Sequence, residues 1–195
     1  PAQLAGEVGA LDQAAIEEVQ RESWPVVRDP DELLDALLTL LWLPVEELRD
    51  WAIYLPRLIQ EGRAVELNVR SEAQEVSGWV ATENQAQVET VFARGDDATL
   101  DAIVLGWMES IGPTTAIELA TRLHCLPQAI DQSLLRLEAS GQLLRGHFTS
   151  HVSRFTSNEI EWCHRRLLAR IHRLTIGRLR KEVEPVTAAE FMRFL

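Results

Sequence analysis

The densest chemistry in this 195-residue chain is a run of cations near its end. Between positions 164 and 181 stand Arg165, Arg166, Arg170, Arg173, Arg178, Arg180 and Lys181, a local charge of +7 with no acid among them. A guanidinium presents paired donors in a planar fork that fits phosphate oxygens, so this run suits a polyphosphate backbone. The rest of the chain has the opposite sign. Net charge is −11 and residues 182–195 carry −2, so residues 1–163 carry −16. That balance argues against general nucleic-acid affinity and makes the basic run the better candidate for strand contact. At helical pitch Arg166, Arg170, Arg173, Arg180 and Lys181 share one side, opposite an apolar stripe of Leu167, Leu168, Ile171, Leu174, Thr175 and Leu179. Two chemistries stay open for that ridge: contact with a nucleic-acid strand, or pairing with carboxylates of this or a neighbouring domain. Arg145, His147 and Arg154 are secondary strand-contact candidates.

Other chemistries lack their residues. The single lysine, Lys181, stands in Arg-Leu-Arg-Lys-Glu, and no G-x-x-x-x-G-K-[ST] segment exists to cradle a nucleotide triphosphate. Neither H-E-x-x-H nor G-x-S-x-G occurs, so no catalytic or cofactor-binding residue is assigned. Cys125 follows His124 and Cys163 precedes His164, but zinc sites favour C-x₂₋₄-C spacing, so both read as reduced thiols of a cytoplasmic protein with no metal. The longest apolar stretch, Leu33–Val45, is interrupted by Asp35 and Thr39 and does not span a bilayer. The chain opens on Pro1 without a methionine and stops inside an apolar segment, so both ends read as cuts in a longer protein.

The elements that must carry the ridge follow from punctuation. Trp24, Pro30 and Leu43-Pro44 recur as Trp107, Pro113 and Leu126-Pro127 at one offset of 83. Asp29-Pro30-Asp31-Glu32 and Thr115…Glu118 read as helix starts with capping boxes. Pro44 and Pro127 read as the openings of third helices, each ending at a glycine, Gly62 and Gly141. Helices are also expected over Gln13–Ser23 and Thr99–Ser110. Arg63–Val69 should pair with Gly78–Thr82, and Gln142–Phe148 with Glu159–His164. The expected fold is mainly α with β-hairpins (α+β): winged-helix modules over 1–95 and 96–164, then an arginine-rich helix and the start of another over 165–195. Both third helices carry acids, so scaffolding rather than major-groove reading is expected of them. Trp24 and Trp107 are expected in the core; Trp51 and Trp79 are open to packing or to stacking on bases.

The stretch Glu161-Trp162-Cys163-His164-Arg165-Arg166-Leu167-Leu168-Ala169-Arg170-Ile171-His172-Arg173 resembles the signature of the Lhr (large helicase-related) family. The likeness continues through Thr175, Arg178-Leu179-Arg180 and Glu184-Pro185-Val186 to Phe191-Met192-Arg193-Phe194-Leu195, with Leu144–Phe148 similar to a wing strand upstream. His164 departs from the pattern, which commonly has an acid there. The resemblance implies a parent that is an ATP-dependent 3′-to-5′ helicase acting on DNA and RNA–DNA hybrids in DNA repair. ATP and magnesium would sit in motor domains outside this chain, which would partner single-stranded DNA and those motors. Tandem winged helices are also similar in architecture to alkylpurine DNA glycosylases, so a lesion-processing domain and a pure assembly module are the rival expectations.

Overall fold

The first helix, α1 (Gln13–Ser23), starts where Asp12 accepts the Ala14 N–H at 2.8 Å, and it stops before Pro25. α2 (Pro30–Leu40) has Asp29 accepting the Glu32 N–H at 2.9 Å and proline in its first turn, as its sequence requires. Glu32 does not close a reciprocal box with Asp29; its carboxylate accepts the Arg28 N–H at 2.7 Å instead. The computed structural model describes residues 11–71, 74–149 and 160–182.

Two copies of one topology follow. In the first, α2 leads into a two-residue strand β1 (Leu43–Pro44). Then come α3 (Val45–Leu48), a 3-10 turn (Arg49–Tyr54) and α4 (Leu55–Gln60), and the hairpin β2 (Ala64–Ser71) and β3 (Gln74–Ala81). The hairpin is closed in sequence by α5 (Gln85–Arg94). The second copy runs α6 (Asp97–Ile111), β4 (Thr114–Thr115), α7 (Ala116–Leu123), α8 (Pro127–Ala139), β5 (Leu143–Gly146) and β6 (Glu161–His164). Both sheets are antiparallel with the last strand in the middle, in the orders β1-β3-β2 and β4-β6-β5. α9 (Arg165–Glu182) continues directly from β6. The protein is mainly helical with small antiparallel sheets.

The element order repeats, but not in the register of the offset of 83. Pro44 lies in β1, opposite Gly78 of β3, and is the N-cap of the short α3 rather than the start of the third helix. An edge strand tolerates a proline because the missing N–H can face away from its partner. The third helix of the first copy is α4, which carries Pro56 in its first turn. Sheet order equates Leu43–Pro44 with Thr114–Thr115, and Leu55-Pro56 with Leu126-Pro127, a separation of 71 in both cases. Gly62 and Gly141 end the third helices with φ of +68° and +74°, a backbone that suits glycine. Trp24 and Trp107 are not equivalents either: Trp24 follows α1, whereas Trp107 lies inside α6. Their rings instead touch, with centroids 5.6 Å apart.

One core runs through both copies. It holds Leu33, Leu37, Leu40, Trp42 and Leu43 of the first together with Ile103, Trp107, Leu119, Leu123 and Leu134 of the second. α6 lies so close to α2 that a Cβ at Gly106 would stand 2.0 Å from the Thr39 carbonyl oxygen. A second, smaller core joins the two ends of the chain: Ala15, Ile16 and Val19 of α1 pack with Cys163, Leu167 and Ile171. α1 therefore serves α9, and this is the contact that positions the arginine helix.

Candidate nucleic-acid interface

α9 forms because Leu167, Ile171 and Thr175 recur at four-residue spacing and are buried, at 9%, 0% and 4% exposure. Leu168 and Leu174 are half-buried, and Leu179, expected in the same stripe, is 48% exposed. The reason is the length of the partner helix. α1 lies antiparallel to α9 and begins at Asp12–Gln13, which is already beside Thr175 and Arg178, so among the described residues α1 offers the last turn of α9 no surface to pack on. Thr175 fixes the register: its hydroxyl accepts the Asp12 N–H at 3.1 Å and donates to the Ile171 carbonyl at 2.9 Å.

The cations divide into two sets. Arg178, on the packed side, donates to Asp12 at 2.8 Å and to Glu18 at 2.6 Å, and its guanidinium holds the Asp12 carboxyl below the ordinary carboxylate range. Arg170, on the flank, is paired with Glu22. Arg165 donates to the Gly141 carbonyl at 3.2 Å, at the end of α8. Arg166, Arg173, Arg180 and Lys181 are exposed and meet no carboxylate among the described residues. Arg166, Arg173 and Arg180 are seven residues apart, so the helix returns each to nearly the same side with a drift of about 20° per step. They form a line opposite the buried stripe, with successive members about 10 Å apart along the axis.

The five-residue ridge expected from sequence is therefore a three-residue line with Lys181 beside it, while Arg170 is consumed by protein. Arg145, on β5, is exposed and lies 3.1 Å from the Glu138 carboxylate. Arg154 falls outside the described residues. The residues that sequence reasoning missed are the acids of α1: Asp12, Glu18 and Glu22 decide which arginines remain free. Glu18 and Glu22 stand four apart on one helix, which was the available signal.

The third helices carry no comparable surface. On α8 the exposed residues include Gln128, Asp131, Gln132 and Leu135, and Arg136 turns inward to Asp101 at 2.7 Å. Arg57 of α4 is taken by Glu61 at 2.9 Å. Beside the ridge, His164 is buried and 3.5 Å from Glu109; burial lowers its pKa, and the Glu109 carboxylate opposes that shift. Burial pushes the Cys125 and Cys163 thiols up to about 12, so both stay protonated. Among the described residues no group of three or more His, Cys, Asp or Glu side chains is placed to hold a metal ion. No helix among them is long and apolar enough to cross a membrane.

A mainly helical protein with small antiparallel sheets and one basic helix face is what the geometry defines. No family model matches the chain. Over 108 residues, 55% of its length, it is 27% identical to a Mycolicibacterium smegmatis protein named Lhr helicase/probable uracil glycosylase. The matched part covers 7% of that protein. The similarity supports an Lhr-like relationship, and a helicase among its relatives points toward nucleic-acid interaction.

Proposed function

We propose that this chain is an accessory module of an ATP-dependent, Lhr-type helicase that acts on DNA in repair, built from two winged-helix modules carrying an arginine helix. In this reading it holds a single strand for motor domains that lie elsewhere in the parent protein and that bind ATP and magnesium. The observation that carries it is the line Arg166, Arg173 and Arg180, exposed and without carboxylate partners among the described residues of a chain whose net charge is −11. Leaving three arginines unpaired amid so many acids is what a phosphate-contacting face needs. Both winged-helix cores then act as scaffold, since α8 presents Asp131 and glutamines outward and the one cation of α4, Arg57, is paired with Glu61. Two protonated thiols in separate parts of the core fit a cytoplasmic protein.

The test is binding of a fluorescent single-stranded oligonucleotide across a salt series. Replacing Arg166, Arg173 and Arg180 by alanine should weaken binding about ten- to a thousandfold, taking an ordinary charge-assisted bond for each. Unchanged affinity in the triple variant would refute the reading. The relative's name supports a second reading, a glycosylase-like lesion-processing domain. Alkali-labile sites appearing in a uracil-containing strand incubated with the chain would favour it.

A further inference from the structure

We propose that the open edge of β2 is a docking edge for a second copy of this chain, paired antiparallel about Asn68. This goes beyond the strand-holding reading above and does not depend on it. In the sheet order β1-β3-β2, β2 has a neighbouring strand on one side only among the described residues. Its pairing with β3 runs unbroken from Ala64↔Ala81 to Ser71↔Gln74, with no bulge, and the strand holds neither proline nor lysine. Those are the devices that usually keep an edge from meeting another strand.

The backbone alternation decides what that edge offers. The Thr82 N–H donates to the Arg63 carbonyl at 2.9 Å, so the bonded pairs with β3 fall on Val65, Leu67 and Val69. Glu66, Asn68 and Arg70 therefore turn their N–H and carbonyl groups away from β3, toward the edge. Their side chains share the face opposite Leu67 and Val69, which lie in the core with Val88 and Val91 of α5. All three are exposed, and neither Glu66 nor Arg70 has an ion-pair partner among the described residues.

The charges select the occupant. Acid and base stand two residues to either side of Asn68. A two-fold axis at Asn68 thus sets Glu66 opposite the partner's Arg70, and Arg70 opposite the partner's Glu66. In the same register all three outward-facing residues become bonded pairs, about six backbone hydrogen bonds across the seam. Glu75 of β3 already stands opposite Arg70, so each such row reads acid, base, acid. An axis one residue earlier would set Glu66 against Asn68 and Arg70 against Ala64, leaving both charges unmatched. A neutral strand, or one of a single sign, matches at most one of the two charges. This sequence read backwards matches both, and the two three-stranded sheets join into one.

Sedimentation equilibrium on the 195-residue chain, between about 10 μM and about 1 mM, reads the association. Salt at about 150 mM screens the repulsion between two chains of net charge −11. The unaltered chain should pass from monomer to dimer within that range. Glu66→Arg alone and Arg70→Glu alone set like charges opposite one another, and each should weaken association about ten- to a hundredfold. Both side chains are exposed, so neither change should lower the melting temperature. Mixed in equal amounts, the two single variants are complementary and should associate as tightly as the unaltered chain. The double variant Glu66→Arg/Arg70→Glu should regain the same affinity. A chain that stays monomeric throughout overturns the proposal. So does association that either single variant leaves unchanged, or a mixture of the two that fails to associate.

Discussion

The indole N–H of Trp107 donates to the backbone carbonyl of Trp42 at 3.0 Å, deep between the two repeated units. Trp42 in turn donates from its own indole to the Leu123 carbonyl at 3.2 Å, so the hydrogen bonds pass from one unit to the other and back. All the groups are buried, which makes each bond costly to break. The expected result is that Trp107→Phe lowers stability by about 1–3 kcal/mol from the orphaned carbonyl alone, with a further loss from the space left behind. Urea denaturation should show one cooperative transition, shifted to lower midpoint with its slope kept. Two separate transitions would mean that the units fold independently, against the shared core.

Two glycines on helices should respond in opposite directions to alanine. Gly106 has the Thr39 carbonyl oxygen 2.0 Å from where a Cβ would stand, and backbone cannot step aside cheaply. Gly106→Ala should cost about 1–3 kcal/mol as α6 is pushed off α2. Gly177, exposed in α9, has nothing within 4 Å of its Cβ position. Gly177→Ala should therefore stabilise by about 0.5–1 kcal/mol through the helix preference alone. The same urea midpoints report both.

Acid should weaken the fold before its carboxylates titrate. His164 is buried beside β6, and desolvation lowers its pKa below the usual 6.5, opposed by Glu109 and aided by Arg166 and Arg165. The unfolded chain then binds a proton at a pH where the native chain does not, so stability falls as pH drops below about 6.5 toward the lowered value. Melting temperature measured from pH 7.5 to 5.5 should decline, and His164→Gln should flatten that decline. An equal decline in the variant would place the effect elsewhere. At lower pH a second loss follows the protonation of Asp12, whose carboxyl Arg178 holds below the ordinary range.

What the sequence made legible was local. α1 and α9 have the bounds that their caps and periodicity indicate, and Thr115 with Glu118 forms the expected capping box. Both hairpins pair where expected, although β2 and β3 extend into the Ser- and Glu-rich stretch read as a loop. The register of the repeat was not legible, because Leu43-Pro44 looks like a helix start and becomes a strand only by pairing with Trp79 and Gly78, some 35 residues away. α5 went unread for a local reason: Asn84 gives it no side-chain cap, and only Val88 and Val91 are buried along it. At the candidate site, the cation face was legible and its ion pairs were not. Whether Arg170 is free depends on Glu22, which lies 148 residues earlier.

That division of the arginines gives two variants with separable effects. Arg178 ties α9 to Asp12 and Glu18, at the N-terminal end of α1, so Arg178→Ala should lower the melting temperature. It contributes no outward cation, so the dependence of strand affinity on salt should stay as it was. Arg166, Arg173 and Arg180 have no carboxylate partners among the described residues to lose, so their joint replacement by alanine should leave the melting temperature nearly unchanged. Each phosphate contact removed from a single strand lowers the slope of log affinity against log salt by about 0.7, so three contacts should lower it by about 2. Fluorescence anisotropy between 50 and 200 mM salt measures that slope on the order of tenths. A triple variant that melts earlier and binds as before would show that these arginines serve the protein's own carboxylates, and the line along α9 would then be a docking face rather than a strand-binding one.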